Sequence, residues 1–75
     1  MEEWKYYDLR KKFGYEKWIK GEGDKVIQLE KKHPNSKYPY IIEFSTFAGS
    51  GENSTHFKKT RAESLKLIKL YMRTH

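Results

Sequence analysis

The sequence predicts an α+β fold, a small antiparallel sheet of three to five strands packed by one C-terminal amphipathic helix. Three observations carry this prediction. A capped, amphipathic helical pattern runs from Thr60 to Arg73, a dense β-branched and aromatic run spans Tyr40 to Phe47, and alternating stretches bounded by turn residues lie on either side of that run.

In chain order, Trp4-Lys5-Tyr6-Tyr7-Asp8-Leu9 supports two readings. Its aromatic content suits a strand. Glu2 and Glu3 leading to Arg10, Lys11, Lys12 and Gly14 instead match a helix with its dipole complemented at both ends and a glycine stop. The aromatic content favours the strand. Tyr15 to Lys20 and Lys25 to Lys31 flank Gly21-Glu22-Gly23-Asp24, a turn composition that predicts a hairpin over about 15–31. Lys32 to Lys37 links this hairpin to the next, with His33 disfavoured from helix by Pro34.

Tyr40 to Phe47 is the most secure strand, and Pro39 stands where a strand can begin. Ala48 to Ser54 is rich in glycine, serine and asparagine, and Thr55-His56-Phe57-Lys58 resumes alternation, so a second hairpin with a polar, mobile tip is expected over about 39–58. Thr60-Arg61-Ala62-Glu63 fits a capping box and predicts a helix over about 61–73. Leu65, Leu67, Ile68, Tyr71 and Met72 fall on one arc of that helix, and Lys66, Lys69 and Arg73 on another with Ala62.

The 75 residues are about the length of one small domain, which buries only ~60% of the surface its unfolded chain exposes. Rings make up 16% of the chain and must supply much of the core, which suits a small fold because each buries a large area at low entropic cost. There is no cysteine, so neither disulfides nor thiolate metal ligands are available and stability must come from packing. Met1 is followed by two glutamates, and no window approaches the ~18 apolar residues of a membrane span. A cytoplasmic protein with no membrane role is expected, since the helix needs its apolar arc to cover the sheet.

Sixteen Lys and Arg against ten Asp and Glu give a net charge of +6, which draws a protein toward nucleic acid, an anionic membrane or an acidic protein surface. The charge is uneven: Phe57 to His75 holds Lys58, Lys59, Arg61, Lys66, Lys69 and Arg73 against Glu63 alone. A second basic group comprises Arg10, Lys11 and Lys12 with Lys17 and Lys20. The two groups are candidate edges of one phosphate-contacting surface. Trp18 lies on the strand face opposite Tyr15 and Ile19; either one of these aromatic rows is exposed and stacks on bases, or Trp18 covers the sheet. Lysine outnumbers arginine thirteen to three, which favours backbone contact over bidentate reading of base edges.

Catalysis has little to work with. His33, His56 and His75 lack the spacing and carboxylate neighbours of a metal or base site, so neither a catalytic residue, a metal nor a cofactor is expected. Gly49-Ser50-Gly51 lacks the Gly-Lys-Ser/Thr ending of a phosphate loop.

The segment Phe57-Lys58-Lys59-Thr60-Arg61-Ala62-Glu63-Ser64-Leu65, in which a strand ends in an aromatic and a threonine caps a helix opened by Ala-Glu, resembles the strand–helix join of phage integrase arm-type DNA-binding domains. That resemblance implies a three-stranded sheet that enters the DNA major groove. Tyr40 to Phe47 carries no basic residue, so only the first hairpin could serve that purpose here. Two classes of function follow: a nucleic-acid-binding accessory domain of phage or mobile-element type, and a phage-type effector that docks on a host protein with an acidic or nucleic-acid-binding surface and blocks it. A continuous basic stripe beside exposed rings marks the first; an uncovered compact apolar patch marks the second.

Overall fold

The computed structural model describes residues 3–21, 25–32, 37–46 and 53–74. Strands β1 (Trp4–Leu9), β2 (Tyr15–Lys20), β3 (Lys25–Lys31), β4 (Tyr40–Ser45) and β5 (Ser54–Lys58) precede helix α1 (Arg61–Thr74). The strands form one antiparallel sheet in chain order, each beside its neighbour in sequence. The α+β class and the sheet-plus-helix arrangement are those the sequence predicts, with five strands where the resembled family has three. Phe47 and the glycine-rich tip between β4 and β5 lie outside the described residues, as do 22–24 and 33–36.

Of the two readings of the first dozen residues, the strand holds and the helix does not: Trp4 to Leu9 is a strand, and Arg10 to Gly14 form a hydrogen-bonded turn that reverses the chain. The Phe13 N–H donates to the Leu9 carbonyl at 2.8 Å, and the Gly14 N–H reaches the Leu9 and Arg10 carbonyls at 3.1 and 3.2 Å. Gly14 closes the turn at φ 81°, a left-handed conformation that glycine adopts without steric cost.

Strand register sorts the side chains into two faces. Tyr6, Trp18, Ile27, Phe44 and Ser54 share one cross-strand row, and Asp8, Glu16, Leu29, Ile42 and His56 share the next. Helix α1 covers this face, chiefly over β4 and β5. Its buried apolar residues are Trp18, Ile27, Leu29, Ile42 and Phe44, joined by Ile68 from the helix, with Leu65, Leu67, Tyr71 and Met72 packed against them. Tyr71 stacks on Phe44 with ring centroids 4.2 Å apart and meets Trp4 edge-on at 6.2 Å. Ser64 is fully buried one turn before Ile68 and donates its hydroxyl to the Thr60 carbonyl at 3.0 Å. This small residue lies on the docked face although no apolar pattern marks it.

The helix starts where the capping signature predicts. The Glu63 N–H donates to Thr60 Oγ1 at 3.1 Å, satisfying one orphan donor of the first turn, while the Glu63 carboxylate makes no return bond among the described residues. Thr60→Ala should therefore cost about 1 kcal/mol of stability, read as a shift in denaturant midpoint at unchanged slope.

Candidate nucleic-acid interface

A five-stranded meander returns the chain to the same end of the sheet at every second connection. Leu9, Tyr15, Glu30, Ile41 and Phe57 form the last cross-strand row before that end that spans all five strands. Beyond it lie the β1–β2 turn, the last residues of β3, the approach to β4 and the junction between β5 and α1. Segments distant in sequence thus meet along one pole, four strand spacings or ~19 Å wide. The pole gathers Lys11, Lys12, Lys31, Lys32, Lys37, Lys58 and Lys59, together with Arg10 and Arg61.

Two of the carboxylates near this pole, Asp8 and Glu16, are held by arginines, whereas Glu30, in the row of Tyr15 and Ile41, makes no ion pair among the described residues. Arg10 donates through Nε and Nη2 to both oxygens of Asp8, at 2.8 and 2.7 Å, in an exposed fork that brings the Asp8 carboxyl down to about 2. Arg61 donates to buried Glu16 through Nη2 at 2.6 Å and Nε at 3.3 Å, and the Tyr6 hydroxyl donates to the same carboxylate at 2.7 Å. Burial by itself would raise the Glu16 carboxyl, but the hydrogen bonds from Arg61 and Tyr6 outweigh it and hold the group below its ordinary value. The Tyr6 hydroxyl is pushed up, first by burial and then by its bond to the carboxylate. Glu16 therefore clips the start of α1 to β1 and β2.

With Asp8 and Glu16 engaged, the pole's lysines make no ion pair among the described residues. Exposed rings stand among them. Phe13 projects from the β1–β2 turn and stacks on Tyr15 at 6.0 Å, while Lys17 Nζ lies 5.3 Å from the Tyr15 centroid. Tyr38 precedes β4 and has Lys37 Nζ and Lys59 Nζ each 5.8 Å from its ring centroid. Exposed Phe57, from β5, shares a cleft of about 550 Å³ with Tyr38, Pro39, Ile41, Thr55 and Lys32.

The sheet face away from the helix holds no buried residue among those described and carries both signs of charge, with Lys5 and Lys17 against Glu30 and Glu43. It is an extended platform of mixed charge, in contrast to the lysine-rich pole.

The structure rearranges the residues expected to contact nucleic acid. Arg10, Lys11, Lys12, Lys58, Lys59 and Arg61 share the pole, and Lys17 lies on the open face beside it. Lys20 is at the opposite end of the sheet, its Nζ 5.9 Å from the Trp4 ring. Lys66, Lys69 and Arg73 line the outer face of α1, and Lys58 borders the same groove, joining that face to the pole. One expectation needs correction. Trp18 is 8% exposed and packs in the core, so it offers no stacking surface; burial of scarce apolar area takes precedence in a chain this short, and the available row is that of Tyr15. Arg61 is paired with Glu16 but keeps its side chain 40% exposed at the pole, as Arg10 stays exposed beside Asp8. Lys31, Lys32 and Lys37 were not among the expected contacts because they lie at the end of β3 and in the linker after it, far in sequence from either basic group. The two predicted hairpins already implied that this linker and the β5–α1 junction share one end.

Among the described residues no group of three or more His, Asp or Glu is placed to hold a metal ion, and no helix is long and apolar enough to cross a membrane. Comparison of the chain with protein-family models, with curated proteins and with solved structures finds no match.

Proposed function

We propose that this chain is a non-catalytic nucleic-acid-binding domain that grips phosphates with its lysine-rich pole. The observation that supports this is the convergence of Lys11, Lys12, Lys31, Lys32, Lys37, Lys58 and Lys59 at one end of the sheet, where Asp8 and Glu16 are already paired to arginine. Ammonium groups without an ion pair among the described residues, spread over ~19 Å, match a repeating line of phosphates better than any single small anion. The exposed rings Phe13, Tyr38 and Phe57 stand at this same end, the arrangement that separates a nucleic-acid surface from a bare apolar docking patch. The likeness of Phe57 to Leu65 to the integrase join agrees with this class of ligand. The pole is the contacting surface, because β4 carries no basic residue and the open face carries Glu30 and Glu43.

Titration of a labelled oligonucleotide between about 50 and 200 mM salt tests the reading, with affinity expected to fall linearly on a log–log plot. The joint substitution of Lys11, Lys12, Lys58 and Lys59 by Ala should flatten the slope by about one for each phosphate left without a lysine. Salt-indifferent binding, or a slope unchanged in the fourfold variant, rejects the pole as the interface. A host-protein partner at the same pole would instead be captured equally well before and after nuclease treatment of an extract, and that outcome also counts against this reading.

A further inference from the structure

We infer that the ligand is single-stranded, with an unpaired base seated in the cleft beside the pole; this rests on the nucleic-acid reading above. The cleft opens where the lysines meet the open sheet face. It is lined by Tyr38, Phe57, Pro39, Ile41, Thr55 and His56, and its volume of about 550 Å³ lies within the ~300–1,000 Å³ range of small-molecule sites. Lys32 borders it directly, and the ammonium groups of Lys37 and Lys59 flank the Tyr38 ring. Apolar and aromatic walls within reach of cations suit a flat base joined to a phosphate, the combination that single-strand binding surfaces share.

Duplex DNA presents its phosphates but keeps its bases stacked inside, so it would leave Tyr38 and Phe57 unused. Two exposed rings beside lysines gain from a ligand whose bases are already free. The Phe13–Tyr15 stack, across the sheet at the same pole, offers a second platform for a base of the same strand. Thr55 also lines the cleft, and a threonine hydroxyl can donate to or accept from a base edge. Lysine predominance and two ring platforms imply stacking with little sequence preference.

The test uses the full chain with three probes of about twelve nucleotides, within the ~4–16-nucleotide site sizes of single-strand binders: a single strand, its abasic counterpart with the same phosphates, and the duplex. The base-bearing strand should bind tightest. Tyr38→Ala and Phe57→Ala should each weaken it by about 5- to 150-fold, the range spanned by stacking one base on one ring, while leaving abasic affinity and the salt slope unchanged. Both rings are exposed, and Tyr38→Leu, which keeps apolar bulk without the ring, guards against a folding defect; unchanged thermal melts should accompany the loss. Equal binding of abasic and base-bearing strands, equal binding of duplex, or equal weakening of all probes by Tyr38→Ala overturns the inference while the pole reading survives. Salt-independent or absent binding to all three probes overturns both.

Discussion

Ile68→Ala is expected to lower the free energy of unfolding by about 2–5 kcal/mol. Ile68 is 1% exposed and is the one buried apolar residue that α1 contributes to the core of the described residues. Its removal loses the transfer energy of the deleted carbons and leaves a void between helix and sheet that rigid strands cannot close. Alanine is the better helix former, by a few tenths of a kcal/mol, so the measured loss slightly understates the packing term. Leu70, two residues on and 58% exposed, is the control: Leu70→Ala should stay within about 0.5 kcal/mol. Equal losses at the two positions, in parallel denaturant melts, would mean that Ile68 is not docked in the core as its burial implies. A small domain with stability near the low end of the common ~5–15 kcal/mol range would be about half unfolded by a loss at the upper end of that ~2–5 kcal/mol range.

Glu16→Gln is expected to cost about 1–3 kcal/mol at neutral pH, the range for leaving buried polar partners imperfectly satisfied. A fully buried ion pair would lose more, but the Arg61 side chain is 40% exposed and reaches water once the carboxylate is gone. The sign of the pH dependence follows from linkage. The folded-state pKa of Glu16 lies below its ordinary 4.5, so its contribution is present above that value and fades as pH falls through the lower folded-state value. The Tyr6 hydroxyl is raised above 10.0, so its contribution is present below that value and fades as pH rises through the folded-state value. Wild type and Glu16→Gln should therefore differ most between about pH 5 and 9 and converge in acid. A gap that stays constant down to about pH 3 would locate the effect in shape and not in charge.

Most of the architecture was legible locally, as the helix shows. Thr60 caps α1, and the apolar arc around Ile68 docks while Lys66, Lys69 and Arg73 face solvent. Strand limits at Tyr15, Lys20, Lys25, Lys31, Tyr40 and Lys58 match the runs read from propensity and turn residues. The interface was less legible. Arg61 and Trp18 look like contact residues in one dimension, yet the first is claimed by a carboxylate 45 residues away and the second by the core.

Local chemistry by itself determined the elements, their order and the helical face that packs, because caps, turns and side-chain periodicity act over a few residues and need no distant partner. Pairing decided the rest. Which sheet face takes the helix, where Glu16 finds Arg61 and Tyr6, and which lysines stand together all depend on contacts across the register. A one-residue slip would exchange the faces of a strand, and only burial of Ile27, Leu29, Ile42 and Phe44 beneath Ile68 fixes the choice. The lysine pole is thus a product of the meander: three stretches of ordinary surface charge become one surface when the strands pair.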